Sequence, residues 1–225
     1  MLRIDEVHIM MTHLEIFQDL ISKTSSYKPE KRKGIFNISE LCFLLASLQV
    51  TKETLDQIHF EEHKDEFKAL FENYYPRPLL KHGQYLAQLN RILDHFKPQN
   101  PSPYKKFTQA VFLTAKYLSH YDSFEAFRKE VYVTCVDEDT TLTYLKNFRK
   151  ESGLSGMYFV KTCTFFEKAG FFDIPIPTKK AKDYLLPKME IEDENEKLYK
   201  RMLHLARSNK ITCHELNKRI ELLPC

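Results

Sequence analysis

Apolar residues return every three or four positions along almost the whole chain, the period of a helix with one buried face. Val7, Met10, Met11, Leu14, Phe17, Leu20 and Ile21 predict an amphipathic helix over residues 6–22. Residues 38–49, ISELCFLLASLQ, are nearly all apolar and predict a buried helix capped by Asn37 or Ser39. Thr51 can cap the next helix, which carries Leu55, Ile58, Phe67, Leu70 and Phe71 and is closed by Pro76 and Pro78. Leu79, Leu86, Leu89, Ile92 and Leu93 form one stripe over 79–96. The segment KPQNPSPY, 97–104, holds three prolines in eight residues and reads as a connector between two lobes.

Helices resume over 105–121, 123–133 and 137–150. The run VYVTCV is β-branched enough for a strand but has no partner strand, so it is assigned to a helix end. Asp137 to Asp139 suit the positive end of the helix that follows. Pro187 is expected to break the chain ahead of an acidic linker. A helix with Leu198, Met202, Leu205 and Ala206 comes next. Thr212 and Glu215 then form a capping box for the last helix. Sustained helical periodicity with few glycines makes the fold all-α, with about ten helices and no internal repeat.

Composition adds limits. The chain is 43% apolar and 29% charged, which suits a globular protein with a real core. A net charge of +3 is too mild to require a polyanionic partner, although 23–33 and 179–182 are locally basic. No apolar run reaches the roughly 18 residues of a membrane span, so no membrane partner is expected. Five scattered cysteines form neither a disulfide framework nor a Cys-x-x-Cys pattern. Together with Asp5 and Glu6 near the start and no signal-peptide cleavage site, they lead us to expect a reducing intracellular location, cytoplasm or nucleus, with no cofactor and no metal.

Candidate chemistry concentrates in residues 151–185. Gly153 and Gly156 mark a tight turn between two helix-like patterns, and Gly170 closes the second of them. An extended FFDIPIP segment leads to a helix that opens with Thr178, Lys179 and Lys180. A helix starting directly after a glycine turn offers unpaired N–H groups to a phosphate, and glycine lets a nucleic-acid backbone come close. The plain alternative is a short turn that packs and binds nothing.

The order of these parts resembles the helix-hairpin-helix DNA glycosylase superfamily. ESGLSGMYFVKT stands where that family has a Leu-Pro-Gly-Val-Gly-like hairpin, with one residue more between the glycines. IPIPTKKAKDYL stands where it has a Val-Asp-Thr-His-like motif, and LYKRMLHLARSNKITCHELNKRIEL is similar to its closing pair of helices. The resemblance covers about 105–222 in layout and implies a two-lobed helical protein. Residues 1–97 would form an N-terminal lobe and 104–225 the hairpin lobe with the C-terminal helices, or the two would be one continuous domain.

The resemblance implies a monomer that grips a DNA duplex mainly by its backbone phosphates. Gly153, Leu154, Ser155, Gly156, Met157 and Tyr158 would form the contact, with Lys161, Thr178, Lys179 and Lys180 beside it. Tyr158 falls where bifunctional members carry their Schiff-base lysine, so base excision by a monofunctional route is implied and lyase chemistry is not. The family's catalytic aspartate position is Pro177, which leaves Asp173 as the nearest substitute carboxylate. A flipped base would stack on aromatic residues, with Phe165, Phe166, Phe171 and Phe172 nearby, although core packing is the simpler role for most of them.

Two alternatives stand beside excision. One is a DNA-binding relative without catalysis, and the other is a helical interaction module. His59, Glu62 and His63 fit a zinc-protease His-x-x-Glu-His pattern if the segment is helical, against the plainer reading of a solvated face.

Overall fold

The computed structural model describes residues 4–29, 34–82, 84–171, 173–189 and 194–224, with backbone alone at 4–12 and 82. Phe172, residues 30–33 of the basic loop, most of the acidic linker, Cys225 and the side chains of Val7, Met10 and Met11 lie outside these described residues. Among the described residues the regular structure is thirteen α-helices and one 3-10 turn, with no strand. They are α1 (Ile4–Lys23), α2 (Ile38–Gln49), α3 (Lys52–Gln57), α4 (Lys64–Leu70), α5 (Pro76–His82), α6 (Tyr85–Phe96) and α7 (Ser102–Leu118). After these come α8 (Phe124–Thr134), α9 (Glu138–Ser152), α10 (Phe159–Lys168), α11 (Lys179–Met189), α12 (Asn195–Ser208) and α13 (Cys213–Leu222).

Local side-chain caps set six of the described helix starts. Asn37, Thr51, Ser123, Thr178 and Thr212 each accept a hydrogen bond from the backbone N–H three residues on. Asp137 forms a full capping box with Thr140. Each such cap is worth about 1 kcal/mol. At Thr212 only half of the expected box forms, because Glu215 turns its carboxylate to Arg219 Nε at 2.9 Å.

The helix breaks differ from the sequence expectation at three points. The stripe over 55–71 splits into α3 and α4, because His59 takes a left-handed φ of 49° and the turn carries Ile58 and Phe60 into the core. Pro76 and Pro78 stand in the first turn of α5 rather than ending a helix, where their missing N–H groups cost nothing. Pro187 lies inside the last turn of α11.

The chain divides into two compact units. The first comprises residues 1–34 and 166–225, and the second comprises residues 35–165, so one division falls within α10. The proline-rich segment at 97–104 joins α6 to α7 inside the second unit, and those two helices pack on each other.

In the second unit α7 packs against α2, α3, α5 and α6. Its residues explain this: Phe107, Val111, Ala115, Leu118 and the small Ala110 and Thr114 are buried around much of its circumference. Phe107 meets Phe60, Phe67 and Phe71 edge-on at centroid distances of 5.3, 5.6 and 5.8 Å. Burying one such ring contributes roughly 1.5–3 kcal/mol, and each favourable ring pair adds about 0.5–1.5 kcal/mol.

In the first unit α1 packs on α12 and α13, and α11 packs on α13. Leu20, Leu185, Leu198, Met202, Leu205 and Leu216 are fully buried there. Tyr184 of α11 donates to Asp19 of α1 at 2.9 Å, and the ammonium groups of Lys23 and Lys188 lie 5.5 and 4.8 Å from its ring centroid.

Candidate functional site

The Gly153–Gly156 turn belongs to the second unit, and its residues divide sharply between packing and exposure. Gly153 ends α9 in the left-handed conformation, φ 68°, with its N–H on the Arg149 carbonyl at 3.1 Å. A side chain there would meet nothing within 4 Å. Leu154 and Met157 are buried. Gly156, φ 78°, faces the end of α2 so closely that a Cβ would stand 2.6 Å from the Gln49 carbonyl oxygen. Glycine is needed here for close approach to the protein's own backbone.

Lys161 is engaged in the same contact. Its ammonium donates to the Leu48 carbonyl at 2.6 Å and the Val50 carbonyl at 3.1 Å, groups that the end of α2 leaves without helical partners. A cation suits the negative end of a helix, and burial pushes the Lys161 pKa down. Gly156 and Lys161, two of the expected phosphate contacts, thus act together to dock the hairpin on α2.

Gly153, Ser155 and Tyr158 face solvent. Tyr158 is 60% exposed, and the Arg149 guanidinium lies 4.5 Å from its ring centroid. Lys150 is exposed next to Arg149. Ser155 also edges a polar cleft of about 590 Å³ lined by Gln49, Thr51, Gln57, Asn100 and Lys106 among others. Gln49 there donates to the Ala110 carbonyl and to Thr114, while its amide oxygen is buried without a hydrogen-bond partner among the described residues.

Asp173, Pro177 and Thr178–Lys180 belong to the first unit. Asp173 accepts from the backbone N–H groups of Cys213 and His214, both at 2.9 Å, one on each carboxylate oxygen. It is an anion on the N-terminus of α13, which ties the extended segment to that helix.

Asn217 completes the support of the extended segment. Its amide accepts from Ile176 N–H at 2.9 Å and donates to the Ile174 carbonyl at 3.0 Å. Pro177 is buried, Thr178 caps α11, and Lys180 donates to the Glu221 carbonyl at 2.9 Å. Lys179 is exposed. The buried Glu167 carboxylate meets His214 Nδ1 at 2.5 Å.

The described aromatic candidates, Phe165, Phe166 and Phe171, are core residues. Phe165 stacks on Phe148 in the second unit, while Phe166 meets Phe171 edge-on in the first. All three candidates among them are buried. The segment of His59, Glu62 and His63 is a turn rather than a helix. His59 has positive φ, and His63 instead precedes α4 and hydrogen-bonds Glu66 at 2.7 Å.

Arg149, Gln49 and Asn217 are the polar residues that the sequence reading passed over. Arg149 had a usable signal, a base in the last turn before a capping glycine. Asn217 had a weaker one, a single amide in the apolar stripe of Leu216 and Ile220.

Among the described residues no helix is long and apolar enough to cross a membrane. No family model, curated protein or solved structure matches the chain.

Proposed function

We propose that the chain binds a nucleic-acid duplex by its phosphates at the exposed tip of the α9–α10 hairpin and leaves the bases in place. The observation that carries this is the Arg149–Tyr158 stack beside the open Gly153. A guanidinium held over a ring is a preorganised phosphate donor, and Lys150 adds a second charge next to it. Contacts of this kind hold a duplex without reading its sequence. The helix-hairpin-helix arrangement of the glycosylase type is part of the same proposal. Excision is left out because Asp173, the nearest substitute carboxylate, has both oxygens engaged by the N-terminus of α13.

Fluorescence anisotropy with a labelled duplex across a salt series tests the interface. Each phosphate contact contributes about 0.9 to the slope of log affinity against log salt. The double variant Arg149→Ala/Lys150→Ala is therefore expected to flatten the slope by about 1–2. Salt-independent or absent binding by the native chain would overturn the interface. Alkali-dependent strand cleavage on a panel of lesion duplexes would restore glycosylase activity.

A helical interaction module is the second reading, favoured by the way Gly156 and Lys161 fill the inner side of the hairpin. It gains if the duplex does not bind.

A further inference from the structure

The second unit holds a cleft of about 550 Å³ where the start of α2, the face of α4 and the turn over residues 72–74 meet. We propose that this cleft is a binding site for a small planar aromatic anion, independent of the hairpin.

Two costly features concentrate on its wall. Glu72, Asn73 and Tyr74 take left-handed φ values of 51°, 53° and 61° in succession, and none is glycine. A left-handed residue with a Cβ costs roughly 1–2 kcal/mol, so single occurrences are the rule and three in a row need support from outside. Ser39 supplies part of it by donating to the Asn73 carbonyl. Tyr74 is only 4% exposed, yet its hydroxyl has no hydrogen-bond partner among the described residues. An orphaned buried hydroxyl costs about 1–3 kcal/mol. Strain and unmet polar groups gather at sites kept for function rather than for stability.

The side chains define the ligand. Phe43 and Tyr74 line the cleft with ring centroids 5.1 Å apart, and Tyr75 lines it with 46% of its surface exposed. Phe60 covers Phe43 at 5.5 Å. These faces accept a flat ring.

Four charged groups surround them: Lys64, Lys68, Glu40 and Asp65. Both acids stand in the first turns of α2 and α4, where the helix dipoles favour them, and Glu40 also accepts from Phe36 N–H at 3.4 Å. Lys64 is the opposite case. It opens α4 at the end where the dipole disfavours a cation, its nearest paired carboxylate is Glu61 at 4.0 Å, and its ammonium lies 5.8 Å from the Phe43 centroid. Lys68 follows one turn later on the same face, with no ion pair among the described residues. An anionic group between Lys64 and Lys68, with its ring on Phe43 and Tyr75, satisfies both cations.

An amide-resolved NMR titration of the full chain tests this with phenyl phosphate, benzylamine and inorganic phosphate as separate probes. Phenyl phosphate is expected to give saturable shifts confined to the amides around Ser39–Phe43, Lys64–Lys68 and Asn73–Tyr75. Benzylamine and inorganic phosphate at the same concentrations are expected to give none. The Lys64→Ala/Lys68→Ala double variant is expected to weaken phenyl phosphate by about tenfold or more, with the rest of the spectrum unchanged. The proposal fails if phenyl phosphate does not saturate, if benzylamine or inorganic phosphate shifts the same amides equally, or if the double variant binds as the native chain does.

Discussion

Gly156→Ala and Gly153→Ala are the same chemical change at two left-handed glycines of one turn, and they are expected to differ in a way that isolates the docking on α2. Both variants force alanine into positive φ, at 78° and 68°, which costs roughly 1–2 kcal/mol each. At Gly153 that is the whole cost, since nothing lies within 4 Å of the new methyl group. At Gly156 the methyl group would stand 2.6 Å from the Gln49 carbonyl oxygen. That oxygen belongs to the backbone at the end of α2, whose neighbouring carbonyls Lys161 holds, so it cannot swing aside as a side chain would. Overpacking of this kind typically adds about 1–3 kcal/mol, for a total of roughly 2–5 kcal/mol at Gly156. Urea unfolding followed by far-ultraviolet circular dichroism reads both, which suits a chain without tryptophan. Equal losses, or a smaller loss at Gly156, would refute the close approach. The pair also separates folding from binding: Gly153→Asp is expected to lower duplex affinity while costing no more stability than Gly153→Ala.

Asn217→Ala strands the Ile176 N–H and the Ile174 carbonyl, and is expected to cost roughly 2–4 kcal/mol; hydrogen exchange at the Ile176 amide should rise sharply, and unchanged protection would contradict the assignment. Asp19 gives a pH signature. Hydrogen bonds from Lys23 and Tyr184 hold its pKa below the usual carboxylate value. The group therefore stabilises the fold above its unfolded pKa of about 3.9, and loses that contribution as pH falls through the lower folded value. Asp19→Asn is expected to be less stable than the native chain at neutral pH and to converge with it once the pH falls below the lowered folded value; a gap that persists in acid would show that the carboxylate charge is not the cause.

What could be read from the sequence was local. Asn37, Thr51, Asp137 and Thr212 cap helices through bonds to residues three positions away, so type and spacing suffice. The break at His59 and the turn over 72–74 escaped because punctuation by glycine and proline reports only part of the left-handed backbone. Among the described residues, six left-handed ones are not glycine, against three that are.

The candidate site failed to be legible for a different reason. Gly156 on Gln49, Lys161 on the α2 carbonyls and Asp173 on α13 are contacts between distant stretches of chain. A glycine beside a lysine in a turn looks the same whether its neighbour is a phosphate or a carbonyl at the end of a helix. Both present oxygen atoms with negative charge, and both ask for the same two residues.

The first unit has a consequence for how the chain is made. Its opening helix, α1, buries Ile16, Phe17 and Leu20, and packs on α12 and α13, which lie beyond residue 165. During synthesis the intervening residues 35–165 come first. They form a continuous unit that can close on its own stretch of chain. At ~5–20 residues per second, α1 waits on the order of ten seconds for its partners to exist. Over that interval its apolar face is wet and available to chaperones, to neighbouring nascent chains and to proteases. Slowing translation after residue 165 lengthens this exposure without altering a single contact of the finished fold.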